Sequence, residues 1–169
     1  MDVLLRFRFH RVALIADVSR MYRAVALTEA DKDLHRFVWR SSPEDTLRDY
    51  RMTCVTFGVS ASSFVANMCV KKNASDFASE YPLAAKAAED SFHVDDCLAG
   101  ADSKEEAIQL HQQLQSLFDK GGFWLRKWSS SEATILEYID PCLRDQHSPH
   151  FLRRRPVCEN SGSGMEFKA

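Results

Sequence analysis

Apolar residues are gathered in short blocks separated by charged or turn-forming stretches. Over residues 3–10 the alternation is partial, with Phe7 and Phe9 set against Arg6, Arg8 and His10. Residues 12–18, apolar but for Asp17, predict a buried strand, which the chain leaves at Asp17. A helical turn is predicted over 19–25, and Thr28 caps a short polar helix or turn through Asp33. The apolar runs at 34–39 and 47–55 read as a hairpin, because the intervening Ser41-Ser42-Pro43-Glu44-Asp45 favours turns. Small and apolar residues at helical spacing predict helices over 61–70 and about 75–89, the latter despite Pro82. A second hairpin is predicted around Asp95-Asp96. The helix over 104–120 is the best marked: Ser103 caps it, Glu105 and Glu106 suit its positive end, Ala107, Leu110, Leu114, Leu117 and Phe118 form its apolar stripe, and Gly121-Gly122 stop it. A strand over 123–128 and a short ordered segment over 135–139 complete the pattern.

Strand, helix, hairpin, helices, hairpin, helix, strand is the order of an α+β fold, an antiparallel sheet with helices on one face. With 169 residues and 45% hydrophobic content the chain can bury one core. The expected organisation is a domain over 1–145 and a polar, Gly/Ser-rich, poorly ordered tail over 146–169. No apolar stretch approaches the roughly 20 residues of a membrane span. The amino terminus is broken by charges, unlike a signal peptide, so an intracellular location, cytoplasmic or nuclear, is expected. Five scattered cysteines without CxxC spacing predict reduced thiols and no zinc site. A net charge of −2 excludes a uniformly basic nucleic-acid coat, leaving local runs such as Arg126-Lys127 and Arg153-Arg154-Arg155.

The chemistry lies in the carboxylates. Asp95 and Asp96 are flanked by apolar residues, as in a tight turn between strands, and Asp17 closes the first buried strand. Three such acids brought together would make a two-metal site for hard ions, Mg²⁺ or Mn²⁺, which take oxygen ligands and leave positions for substrate phosphates. That constellation points to phosphoryl or nucleotidyl transfer.

Ordered motifs carry a further resemblance. Ala16-Asp17-Val18-Ser19-Arg20-Met21-Tyr22 comes first, then Phe57-Gly58 within 53–64, then Phe92-His93-Val94-Asp95-Asp96, the Gly100-Ala101-Asp102 stretch, and finally Gly121-Gly122-Phe123 leading to Leu125-Arg126-Lys127-Trp128-Ser129-Ser130. In this order they resemble the reverse-transcriptase palm of BEL/Pao-type long-terminal-repeat retrotransposon Pol polyproteins, over about residues 9–140. The resemblance implies a palm of ferredoxin-like split-βαβ form that acts as an RNA-directed DNA polymerase. Its partners would be an RNA or DNA template-primer, deoxynucleotide triphosphates, and the rest of a Pol polyprotein. It also implies roles. Asp17, Asp95 and Asp96 would be catalytic and, with the Val18 carbonyl, would hold two Mg²⁺ or Mn²⁺ ions. Tyr22 would be the gate against a ribose 2′-hydroxyl, and Phe57 and Gly58 would line the nucleotide pocket. His93 would lie near the primer terminus, and Lys127 would protonate the pyrophosphate leaving group.

The sequence departs from that family in two ways. His93 stands where the family writes tyrosine, and no fingers segment precedes Asp17 and no thumb follows residue 145. The expectation is therefore a truncated palm, inactive alone. A non-catalytic nucleic-acid or protein interaction module derived from such a palm is the alternative, and a phosphoacceptor pocket in a parallel sheet is a third reading that the predicted hairpins disfavour.

Overall fold

The computed structural model describes residues 2–145, so the predicted tail lies outside the described residues. The chain begins with helix α1 (Asp2–Phe7) and enters strand β1 (Val12–Ser19). A 3-10 turn, Met21–Ala24, and a one-turn helix α2 (Glu29–Lys32) lead to the hairpin β2 (Arg36–Trp39) and β3 (Arg48–Arg51). Two helices follow, α3 (Ser62–Asp76) and α4 (Pro82–Asp90), with Pro82 in the first helical turn, where its missing N–H costs nothing. Strands β4 (Phe92–His93) and β5 (Asp96–Ala101), helix α5 (Lys104–Lys120), strand β6 (Trp124–Ser130) and helix α6 (Ala133–Leu136) complete the fold.

The main sheet has strand order β4-β5-β1-β6, and every pairing in it is antiparallel. Taken in chain order, β1, the α3–α4 pair, the β4–β5 hairpin, α5 and β6 make a β-α-β-β-α-β unit of ferredoxin-like type, the α+β arrangement predicted from the sequence. An antiparallel sheet also disposes of the parallel phosphoacceptor reading.

One face of the sheet is dry. Val12, Leu14, Ala16 and Val18 of β1, Cys97, Ala99 and Ala101 of β5, and Leu125 and Trp128 of β6 are all buried. In β1 and β5 the period of two puts them on a common face. Against them α5 lays Ala107, Leu110, Leu114, Leu117 and Phe118, and α3 and α4 pack on α5, adding Ala66, Val70, Ala84 and Ala88 to the same buried cluster. The strand and helix alanines leave room for close approach, and Phe118 fills the gap by stacking on Phe92 at 5.0 Å. The start of α5 is fixed as predicted. The Ser103 hydroxyl accepts from the Glu106 N–H at 3.2 Å, and the Glu106 carboxylate accepts from the Asp102 N–H at 3.1 Å.

Local details refine the predicted pattern. The segment whose alternation is only partial begins as a helix, α1 over Asp2–Phe7. β1 runs on past Asp17 to Ser19 through its pairing with β6, whereas Asp17 with Asp96 is the last pair of the β1–β5 ladder. The two predicted helices are both present, but the break between them falls at residues 77–81, after the first helix has run on to Asp76. Cys54, Cys69 and Cys97 are free thiols. Burial pushes the Cys97 thiol up to about 12, so its position in the core is structural.

Candidate functional site

The face of the sheet opposite the helices carries the chemistry. Across it, His93 of β4 pairs with Asp96 of β5, Asp96 pairs with Asp17 of β1, and Asp17 pairs with Arg126 of β6. Directly opposed residues of antiparallel strands share a face, with Cβ atoms about 5 Å apart. The register therefore draws one polar row across all four strands, base, acid, acid, base, from residues 17, 93, 96 and 126. Two aspartates as direct neighbours are unfavourable unless a cation answers them.

The third acid sits at the tip of the same hairpin. Val94 and Asp95 form a two-residue loop between the paired His93 and Asp96. Val94 has a φ of 58°, in the left-handed region that a β-branched side chain rarely enters. The carbonyl of Asp95 accepts a 2.8 Å hydrogen bond from the Val18 N–H, which ties the turn to β1 one residue beyond Asp17. Val18 itself points its side chain into the core.

Lys127 supplies the answering cation. Between Ile15 and Asp17 the β1–β6 register shifts, and Lys127, with φ 55°, is the extra residue on β6. This bulge lets Leu125 and Trp128 both face the core, although three residues apart, and throws Lys127 outward. Its ammonium donates to Asp17 Oδ2 at 2.8 Å, with the Asp17 side chain 23% and the Lys127 side chain 67% exposed. The hydrogen bond to Asp17, the Asp17 charge, and the nearby charges of Asp95 and Asp96 hold the Lys127 ammonium above its ordinary range. Arg126 lies over the Trp124 ring at 5.8 Å, and its Nε is buried without a partner among the described residues.

Among the described residues, the non-glycine residues with positive φ are Arg20, Val94 and Lys127. Each flanks the acids: Arg20 just past the end of β1, Val94 in the hairpin turn, Lys127 on the bulge. Backbone strain of this kind costs roughly 1–3 kcal/mol per residue and persists where the surrounding structure demands it, often at functional sites.

The remaining predicted residues are placed unevenly. The Tyr22 hydroxyl shares a 2.9 Å hydrogen bond with Ser63 Oγ, which pins the 3-10 turn to the start of α3. Phe57 is 81% exposed, and no hydrogen bond or ring contact links it to the acids. Gly58 has φ 87°, and a Cβ there would meet nothing within 4 Å, so glycine is required by backbone conformation and not by crowding. His93 is exposed beside Asp96.

The row suits a hard divalent ion in part. Mg²⁺ is held by one or two carboxylates and completes its shell with water and phosphate oxygens. Asp17 and Asp96 provide two carboxylates on an accessible face. Among the described residues no three acid, histidine or cysteine side chains converge as a ready-made metal group. Arg126 and Lys127 stand out in the sequence as basic residues, but neither the bulge nor the cross-strand pairing with Asp17 follows from residue spacing. Among the described residues no helix is long and apolar enough to cross a membrane. The chain matches no protein-family model, and no curated protein matches it.

Proposed function

We propose that the chain is the palm portion of an RNA-directed DNA polymerase of the BEL/Pao retrotransposon type, working by nucleotidyl transfer of deoxynucleotide triphosphates and inactive on its own. One observation carries the reading: Asp17 and Asp96 stand opposite each other on the open face of a β-α-β-β-α-β sheet, beside a strained turn that presents Asp95. Two Mg²⁺ or Mn²⁺ ions held by Asp17, Asp95 and Asp96 would neutralise the triphosphate and make the primer hydroxyl a better nucleophile. The chain's own contribution is positional. Asp17 and Asp96 fix negative charge at a rigid place in the ladder, and the Val18–Asp95 hydrogen bond holds the turn to it. Arg126 and Lys127 bring positive charge to the same place for phosphate oxygens. Tyr22, held by Ser63, keeps an aromatic ring at the end of β1, where the sugar edge of a nucleotide would be tested.

Manganese titration followed by electron paramagnetic resonance tests the reading. The chain should bind the ion weakly, and the pair Asp95→Asn with Asp96→Asn, or Asp17→Asn, should abolish that binding. Unchanged binding in these variants would refute the site. Primer extension on a homopolymer template should be negligible for the chain alone.

A second reading, an interaction module, is favoured by the β2–β3 hairpin. It leaves Val38 and Trp39 about three-fifths exposed, and Phe37, itself partly exposed, stacks on Tyr50 at 5.6 Å. On that reading Trp39→Ala would weaken binding to single-stranded nucleic acid or a protein partner, whereas the aspartate changes would leave it intact.

A further inference from the structure

We propose that Lys127 is a tethered competitor for the cation position at Asp17, so that a divalent ion gains this carboxylate only by displacing the lysine ammonium. The inference rests on the metal site proposed above and concerns how that site is occupied.

The geometry supports it in three steps. Lys127 Nζ lies 2.8 Å from Asp17 Oδ2, on the side chain through which an ion would also bind. An ammonium and a hard divalent ion both seek the same carboxylate lone pairs, and two positive charges within a few ångströms repel each other. The lysine arrives there through backbone irregularity. Were β6 regular, the period of two would not allow residues 125 and 128 both to reach the core, and the extra residue is the one whose side chain turns to Asp17. A bulge that re-aims one side chain onto one acid, at a strained φ of 55°, is a built contact.

The contact is also easily opened. Lys127 is two-thirds exposed, and exposed ion pairs are weak because water screens them and the long side chain loses freedom. Displacement therefore costs little structurally, and the freed ammonium stays within reach of phosphate oxygens that would accompany the ion. Lys127 thus holds the neighbouring aspartates together when no ion is bound, and sets a threshold ion concentration for loading.

Manganese titration of the whole chain, read by electron paramagnetic resonance and by calorimetry, tests this with Lys127→Met and Lys127→Arg. Removing one positive charge beside a divalent ion should tighten manganese binding roughly tenfold in Lys127→Met. Lys127→Arg, which keeps the charge, should stay within about threefold of the parent. Circular dichroism and a thermal melt on each variant establish that it folds, and a magnesium competition arm checks that the gain is not particular to manganese. Manganese affinity in Lys127→Met equal to or weaker than the parent's would overturn the proposal while leaving the metal site standing. No binding by parent or variants would overturn both, so the two failures are distinguishable.

Discussion

His111 offers the sharpest test of the packing described above. It lies on the buried side of α5, 7% exposed, with its ring edge-on to Trp128 at 4.6 Å and 75°. Neither ring nitrogen has a hydrogen-bond partner among the described residues. Burial alone pushes its pKa down from 6.5 to about 4, because the imidazolium would lose its hydration without gaining a partner. Between those values the unfolded chain binds a proton that the folded chain refuses. Stability from this group is therefore complete above the unfolded value and falls as the pH drops toward the folded one. A shift of that size at one site lowers stability by at most about 2 kcal/mol between pH 7 and pH 5. The Glu29 and Asp33 carboxylates, held below their ordinary range by hydrogen bonds to Lys32 and Arg36, lose their contributions only at lower pH, and Asp119, which burial holds above its ordinary range, acts in the opposite sense, so it is the comparison with a variant lacking the imidazole that isolates the histidine. Urea unfolding of the parent and of His111→Leu at pH 7, 6 and 5 measures it. The variant removes the titrating ring at similar volume, and its midpoint should vary less with pH than the parent's. If the two proteins lose stability in parallel between pH 7 and 5, His111 is protonated in the folded state at little cost and the packing argument fails.

The other expectations are simpler. Val94→Asn places a residue tolerant of left-handed backbone in the hairpin turn and should raise stability by roughly 1 kcal/mol in chemical denaturation, with an unchanged m-value. Leu114→Ala, at a fully buried position of α5, should cost roughly 3 kcal/mol, seen as a lower thermal midpoint with the circular dichroism spectrum retained. Ser103→Ala removes the hydroxyl that caps α5 and should cost about 1 kcal/mol, whereas Ser103→Asp should recover most of it, both read by urea midpoint.

What the sequence made legible is what local chemistry controls. The bounds of α5 follow residue for residue from Ser103, the acidic first turn and Gly121-Gly122, because cap, stripe and stop all lie within one segment. Both hairpins and the first buried strand could likewise be read from turn residues and apolar blocks. The 3–10 segment gave no element because Val3-Leu4-Leu5 among charges fits either period over so short a span. The candidate site divides in the same way. That Asp17 and the Asp95-Asp96 turn belong together could be argued from residue types, but the pairing of Asp17 with Asp96 depends on register, a relation between distant strands. The Lys127 bulge was not legible at all, since it arises from the demand of Leu125 and Trp128 for the same core face. The role given to Phe57 rests on the resemblance alone, and its side chain is exposed.

The extra residue on β6 has an evolutionary corollary. Because it separates the part of the strand opposite the aspartates from the part that anchors Trp128, a one-residue deletion there would rotate everything on one side of it by half a turn. Either the indole leaves the interior or the basic side chains leave the acids. Substitutions can tune the charge of this face freely, but its length is fixed. In any set of homologues, variation at 126 and 127 should take the form of exchanged residues and almost never of gaps.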